Sequence, residues 1–159
     1  MNANILKKIG LIVIVGMGFL TNLYASSLEG YWKGVDDRTG DVLAIVEIKK
    51  LEDGTYVGSI FQRFYAPDAY CTRCPEPYKN KAIVGMQILS GFKEDPNKPN
   101  HFIHGKVLEP RTGKIYEGKG QLVSGGRRFR LRGYIGVSLL GRTQVWVKVT
   151  NPAIELHKP

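Results

Sequence analysis

From Leu28 onward, runs rich in β-branched and aromatic residues alternate with clusters of Gly, Pro, Asp and Asn, and no stretch carries a long apolar stripe at 3.6-residue spacing. Period-two patterning bounded by turn residues marks strands, and its repetition leaves no room for a principal helix. The spacing predicts eight strands, at about Leu28 to Val35, Val42 to Lys49, Thr55 to Phe64, Ala82 to Phe92, His101 to Glu109, Lys114 to Val123, Arg127 to Ile135 and Arg142 to Thr150. Several connections are short: Asp36-Asp37-Arg38-Thr39-Gly40, Leu51-Glu52-Asp53-Gly54, Pro110-Arg111-Thr112-Gly113 and Ser124-Gly125-Gly126. Each ends on a Gly that supplies the positive φ such hairpins need, and links this short force antiparallel neighbours. The expectation is an all-β, antiparallel up-and-down barrel, because closing the sheet removes both exposed edges. Glycine points the same way. Gly105, Gly118, Gly120 and Gly133 fall inside predicted strands, where they cost stability unless the strand bends at a barrel corner or another backbone comes close.

Alternation assigns faces. In the seventh strand Phe129, Leu131, Gly133 and Ile135 oppose Arg128, Arg130, Arg132 and Tyr134. In the eighth, Thr143, Val145, Val147 and Val149 oppose Arg142, Gln144, Trp146 and Lys148. Placing both apolar sets inward predicts an outer basic face carrying Arg128, Arg130, Arg132 and Trp146, with Arg stacking on Trp146 or Tyr134. Tyr56, Tyr116 and Tyr134 are candidate ligand-contacting residues, although half-buried strand positions suit Tyr without any ligand.

Lys7 and Lys8 precede an unbroken apolar or Gly run from Ile9 to Leu20, and a short polar stretch then leads to Ala25 and the small residues Ser26 and Ser27. This is the three-part form of a secretory signal peptide. The apolar run makes a helix of about 18 Å, short of the ~30 Å hydrocarbon core, which favours removal over anchoring. The expected organisation is a signal peptide over 1–25 and a single barrel domain over 26–159, not integral to a membrane after processing. The chain has 23 Lys plus Arg against 14 Asp plus Glu, a net charge of +9. Export makes nucleic acid an unsuitable partner for that charge. Anionic lipid and polysaccharide suit it, as does simple solubility.

Cys71 and Cys74 stand in a C-x-x-C spacing within a turn-rich segment, and in an oxidising compartment they read as a local disulfide that stiffens a loop. Redox catalysis wants a helix after the pair, and Pro75 and Pro77 oppose one. A zinc site would need two more ligands, and His101 and His104, three apart in a strand, point to opposite faces. No metal or cofactor is expected. Gly136-Val-Ser138-Leu-Leu-Gly141 has the wrong spacing for a nucleophile elbow, and a strand follows where a helix should. The carboxylate pairs Asp36/Asp37 and Glu52/Asp53 sit in hairpin loops, where solvated acids are the default. No catalytic residue emerges.

Gly30-Tyr31-Trp32 opens the first strand and an Arg lies near the last. This resembles the calycin pattern of lipocalins, in which the Trp packs across the closed end of the barrel with the Arg over it; Arg132 and Arg142 both compete for that role. The Asp-Arg-Thr-Gly turn, Cys71-x-x-Cys74, the Pro-Arg-Thr-Gly-Lys-Ile-Tyr segment ending at Tyr116 and the block from Arg132 to Trp146 extend the resemblance. Together they resemble an exported bacterial domain of unknown function, family 2147, over essentially all of 26–159. The resemblance implies a periplasmic, lipocalin-like barrel with Gly30, Trp32 and an Arg at its closed end, and it implies no activity. The functional expectation is a periplasmic, non-enzymatic binding protein for a small, partly apolar or anionic cell-envelope molecule held in the lumen or at its mouth. The alternative is a structural or assembly factor that meets a partner protein or the envelope surface through the basic face.

Overall fold

In a computed structural model describing residues 26–36 and 39–155, eight strands follow one another round a closed antiparallel barrel. They are β1 (Gly30–Val35), β2 (Val42–Lys50), β3 (Tyr56–Arg63), β4 (Gln87–Glu94), β5 (His101–Glu109), β6 (Lys114–Val123), β7 (Arg128–Tyr134) and β8 (Arg142–Val149). A 3₁₀ turn, Ser138–Leu140, lies between β7 and β8, and a four-residue helix, α1 (Pro152–Glu155), follows β8. The expected signal peptide and the turn residues Asp37 and Arg38 lie outside the described residues. Each strand pairs with its neighbour in sequence, and β1 closes the circle on β8 with Trp32 opposite Lys148. The largest departure in strand bounds is β4, which starts at Gln87 where Ala82 was expected. Ile83 to Met86 instead fold as a turn with Gly85 at φ +84°, its amide donating to the Ile60 carbonyl, and join the long β3–β4 loop.

One end of the barrel is closed by residues 26–29. The Trp32 indole N–H donates to the Leu28 carbonyl at 2.8 Å, and the Glu29 carboxylate accepts from the Lys50 amide at 3.2 Å. Above this floor the lumen is filled with rings. Phe129, fully buried, lies 5.9 Å from Trp32, 6.0 Å from Phe102, 6.3 Å from Trp146 and 6.5 Å from Phe92, ring centre to ring centre. Tilted and edge-on pairs at these separations add to the burial of the rings themselves. Of the four in-strand glycines, Gly105, Gly118 and Gly120 are required by this ring packing and not by a corner, while Gly133 has no ring over it. The Phe92 ring lies where side chains at Gly105 and Gly118 would stand, and the Phe129 ring covers Gly120.

The faces of β7 are as predicted from Phe129 to Gly133, whereas Ile135, expected inward, leaves the strand and is exposed in the following loop. The faces of β8 are the reverse of those expected. Phe129 pairs with Trp146 and Leu131 with Gln144, and directly opposed residues share a face. Trp146 is therefore a core residue, while Val145 and Val147 are 40% and 39% exposed on the outside. The valines suggested an inward face because composition outvotes register in a single strand; the large Phe129 and Trp146 rings settle which side fills the lumen. The expected stacking of Arg on Trp146 at an outer face does not occur there.

A second buried cluster joins the β3–β4 loop to the barrel through Ile60, Cys71, Cys74, Ile83, Met86 and Leu108. Cys71 and Cys74 form the expected disulfide, but it is buried and does more than stiffen a surface loop. Arg73 packs so tightly over the β5–β6 turn that only a Gly fits at 113, where φ is also +74°.

Candidate functional site at the mouth of the barrel

The lumen is open at the end opposite residues 26–29. Successive inward positions on β5 run Gly105, Val107, Glu109, those on β7 run Phe129, Leu131, Gly133, and those on β8 run Trp146, Gln144, Arg142. Each series changes from bulky or apolar to polar or small as it approaches the rim. The result is a cavity of about 320 Å³ bounded by Glu109, Arg111, Thr112, Tyr116, Leu131, Gly133, Arg142 and Gln144. Gly133 matters here by having no side chain: the nearest atom to a Cβ would be Tyr116 Cβ at 3.5 Å, which leaves the space above it open. An apolar floor with a few convergent polar groups is the usual character of a small-molecule site.

Glu109 organises one wall. Its carboxylate accepts from the Thr112 hydroxyl at 2.7 Å, the Arg111 guanidinium at 3.1 Å and the Tyr116 hydroxyl at 3.2 Å. Burial pushes the carboxyl pKa up, but the three hydrogen bonds outweigh it and hold Glu109 below its ordinary value. Burial and the neighbouring carboxylate raise the Tyr116 phenol, which stays a neutral donor. On the opposite wall the Gln144 amide oxygen accepts from the Trp146 indole at 3.2 Å, which turns its NH₂ end away from that ring.

The three candidate tyrosines do not meet. Tyr116 lines the mouth. Tyr56 lies towards the closed end, its hydroxyl donating to Glu94 at 2.5 Å, beside a recess that also includes Lys50 and His101. Tyr134 is on the outer surface with the Lys119 ammonium 5.9 Å from its ring.

The closed-end cation is neither expected Arg. Lys148 occupies the place: its ammonium stands 5.1 Å over the Trp32 ring and donates to the Ser27 carbonyl at 2.8 Å. Its stem crosses Gly30, where φ is +118°. Burial lowers the Lys148 pKa, with Glu29 opposing. Arg142 is at the other end of β8, and Arg132 bonds the β7–β8 loop through Ser138 and Leu139 carbonyls and the Thr143 hydroxyl. The calycin pattern places an Arg over the Trp, and here a Lys on the last strand takes that position. Of the expected basic face, Arg128 and Arg130 are exposed as predicted, Arg132 is partly covered, and Trp146 is absent from it. Glu109, Thr112 and Gln144 were not singled out in the sequence; their signal was the turn to polar residues at the ends of inward series.

A sequence model of a family described as uncharacterized protein conserved in bacteria (DUF2147) matches residues 30–148. Among solved structures, the barrel is similar to HP1028 from the human pathogen Helicobacter pylori, described as belonging to the lipocalin family. The TM-score is 0.69 at 17% sequence identity, covering 82% of this chain and 88% of that one. No curated protein matches the chain in sequence. The structural likeness carries the fold alone, and the family match runs from the first residue of β1 to the penultimate residue of β8. The chain thus belongs to this family of uncharacterized bacterial proteins, domain of unknown function 2147, and is built on a lipocalin-like eight-stranded barrel.

Proposed function

We propose that this protein is a periplasmic, non-enzymatic binding protein that takes a small anionic amphiphile, or the charged end of a larger one, into the mouth of its barrel. The observation that carries this reading is the change of character along the lumen: rings fill the closed half, and the open half is a cavity of about 320 Å³ with Leu131 and Tyr116 as apolar surface and Arg111 and Arg142 as cations. That volume is at the lower end of ligand pockets, about 300 to 1,000 Å³. Arginine is the side chain best suited to a carboxylate or phosphate, through its planar fork of donors. Glu109 supports binding over catalysis, because its hydrogen bonds from Thr112, Arg111 and Tyr116 make it an anchor for the wall and not a base facing a substrate. A soluble exported form would begin at Ser26, and amino-terminal sequencing of the protein from the envelope fraction checks that start.

The test uses octanoate as a short anionic amphiphile, titrated by calorimetry. Gly133→Val fills the cavity from a position with room for a Cβ, and it should weaken binding at least about tenfold while leaving the unfolding midpoint near that of the parent. Arg142→Gln should weaken octanoate about tenfold, the cost of one charge-assisted hydrogen bond, and should leave octanol unaffected. Octanoate binding that is absent, or that is unchanged in Gly133→Val, refutes the reading.

A further inference from the structure

We propose that the β7–β8 loop is a docking tip that sets the barrel on an anionic lipid surface. Within six residues the loop displays four large apolar side chains: Ile135 is 63% exposed, Val137 59%, Leu139 87% and Leu140 81%. Single exposed apolar residues are ordinary, but a contiguous group is a mark of an interaction site. The loop is also held in place. The Arg132 guanidinium donates to the Ser138 carbonyl at 2.8 Å, the Leu139 carbonyl at 2.9 Å and the Thr143 hydroxyl at 2.8 Å. The Leu140 and Gly141 amides close the 3₁₀ turn on Val137 and Ser138. Gly141 fits because a Cβ there would come within 2.6 Å of the Gly133 carbonyl. These bonds fix the backbone of the turn while its apolar side chains remain in water.

The charge around the tip selects the occupant. Lys119, Arg130 and Arg132 on the outer face and Arg142 at the base of the loop outnumber the one carboxylate on the adjoining strands, Glu117 opposite Tyr134. Arg127, Arg128 and Lys148 lie towards the closed end. Lys119, Arg130 and Arg132 border one outer groove below the loop. A second copy of the chain docking tip to tip would bring two such cationic surfaces together, which opposes association. An anionic bilayer meets both features, taking apolar side chains at the headgroup boundary and cations among its phosphates. Because Gly133 and Arg142 pair at the base of the loop, docking would bring the mouth of the barrel near the bilayer. The inference rests on the exposed loop and its charge, and stands whether or not the mouth takes an amphiphile.

Vesicle co-sedimentation tests it, with phosphatidylglycerol mixed into phosphatidylcholine and with phosphatidylcholine alone. The parent protein should bind the anionic vesicles and release as salt rises. The double variant Leu139→Asp, Leu140→Asp should lose at least about tenfold in partitioning, since each Leu loses its apolar transfer. These side chains are exposed, so the variant should keep the parent's unfolding midpoint, and because the proteins differ only at the tip the comparison is independent of residues 1–25. In Leu139→Trp the added indole should shift its emission to the blue on binding. Equal partitioning of the parent and the Asp variant, no vesicle binding by the parent, or no emission shift overturns the proposal. So does a parent dimer that the Asp pair converts to monomer, which would assign the tip to a second copy.

Discussion

Gly118 and Gly133 face each other across β6 and β7 on the inner side of the barrel, yet the same substitution should act on them with opposite sign. A Cβ at Gly118 would stand 2.6 Å from Phe92 Cζ and 2.9 Å from Val107 Cγ2, against about 3.5 to 4.0 Å for an ordinary contact between carbons. Phe92 is only 1% exposed, and Gly105 already marks the closest approach on another side of its ring, so retreat by about an ångström displaces other core groups. Overpacking of this kind costs about 1 to 3 kcal/mol, and the entropy gained on replacing Gly returns about 0.4 to 1. Gly118→Ala should therefore lose about 1 to 2 kcal/mol. At Gly133 the nearest atom is 3.5 Å away, so the entropy gain stands alone and Gly133→Ala should gain about 0.5 kcal/mol. Urea unfolding followed by tryptophan emission reads both, with a common slope and midpoints moving in opposite directions. Adding Phe92→Leu to Gly118→Ala should recover part of the loss, visible as a coupling energy in the double-mutant cycle. Equal shifts of one sign at both glycines, or no coupling to Phe92, would refute the account of a ring-filled lower lumen and an open mouth.

Trp32→Ala should cost about 3 to 5 kcal/mol, the range for truncating a large buried aromatic, whereas Lys148→Met, which keeps the stem, should cost about 1 kcal/mol; chemical denaturation distinguishes the two. Burial and the Glu94 hydrogen bond push the Tyr56 phenol from 10.0 to about 12 in the folded protein. A raised folded value stabilises fully below the unfolded pKa and is lost as pH rises through the folded one. Urea midpoints should therefore fall between pH 10 and about 12, and Tyr56→Phe should remove that part of the decline.

The barrel was legible because its turns are written locally. Gly40, Gly54, Gly113 and Gly126 each have positive φ at or beside a hairpin tip, and the strands between them had only one closed up-and-down arrangement to adopt. The site was less legible because a lumen is defined by register between strands. Within β8 alone, Val145 and Val147 are better inward residues than Gln144 and Lys148. Only the pairing of Phe129 with Trp146 inverts that choice, and with it go the closed-end cation and the identity of the mouth. Glu109 was hidden similarly, as one carboxylate near a predicted hairpin; its role depends on Thr112, Arg111 and Tyr116 converging from both sides of the turn. Tyr116 could be named and yet not separated from Tyr56, which the barrel buries in the core towards the closed end, or from Tyr134, which it sends to the outer surface.

The seam between β1 and β8 has a consequence for how the chain assembles. Trp32 pairs across it with Lys148, near the far end of the sequence, and in the core it packs towards Phe129 on β7. Hairpins such as β5–β6 can form from neighbouring residues as soon as they exist, but β1 has its second neighbour only when the last strand arrives. Contacts of such long sequence separation require a large loop to close before they return any energy, and they slow folding. A chain released amino terminus first would hold Gly30–Val35 as an open edge, and the Trp32 ring without its cation, until nearly every residue had followed. Folding of the barrel is thus tied to the arrival of β8, which closes its edge on β1.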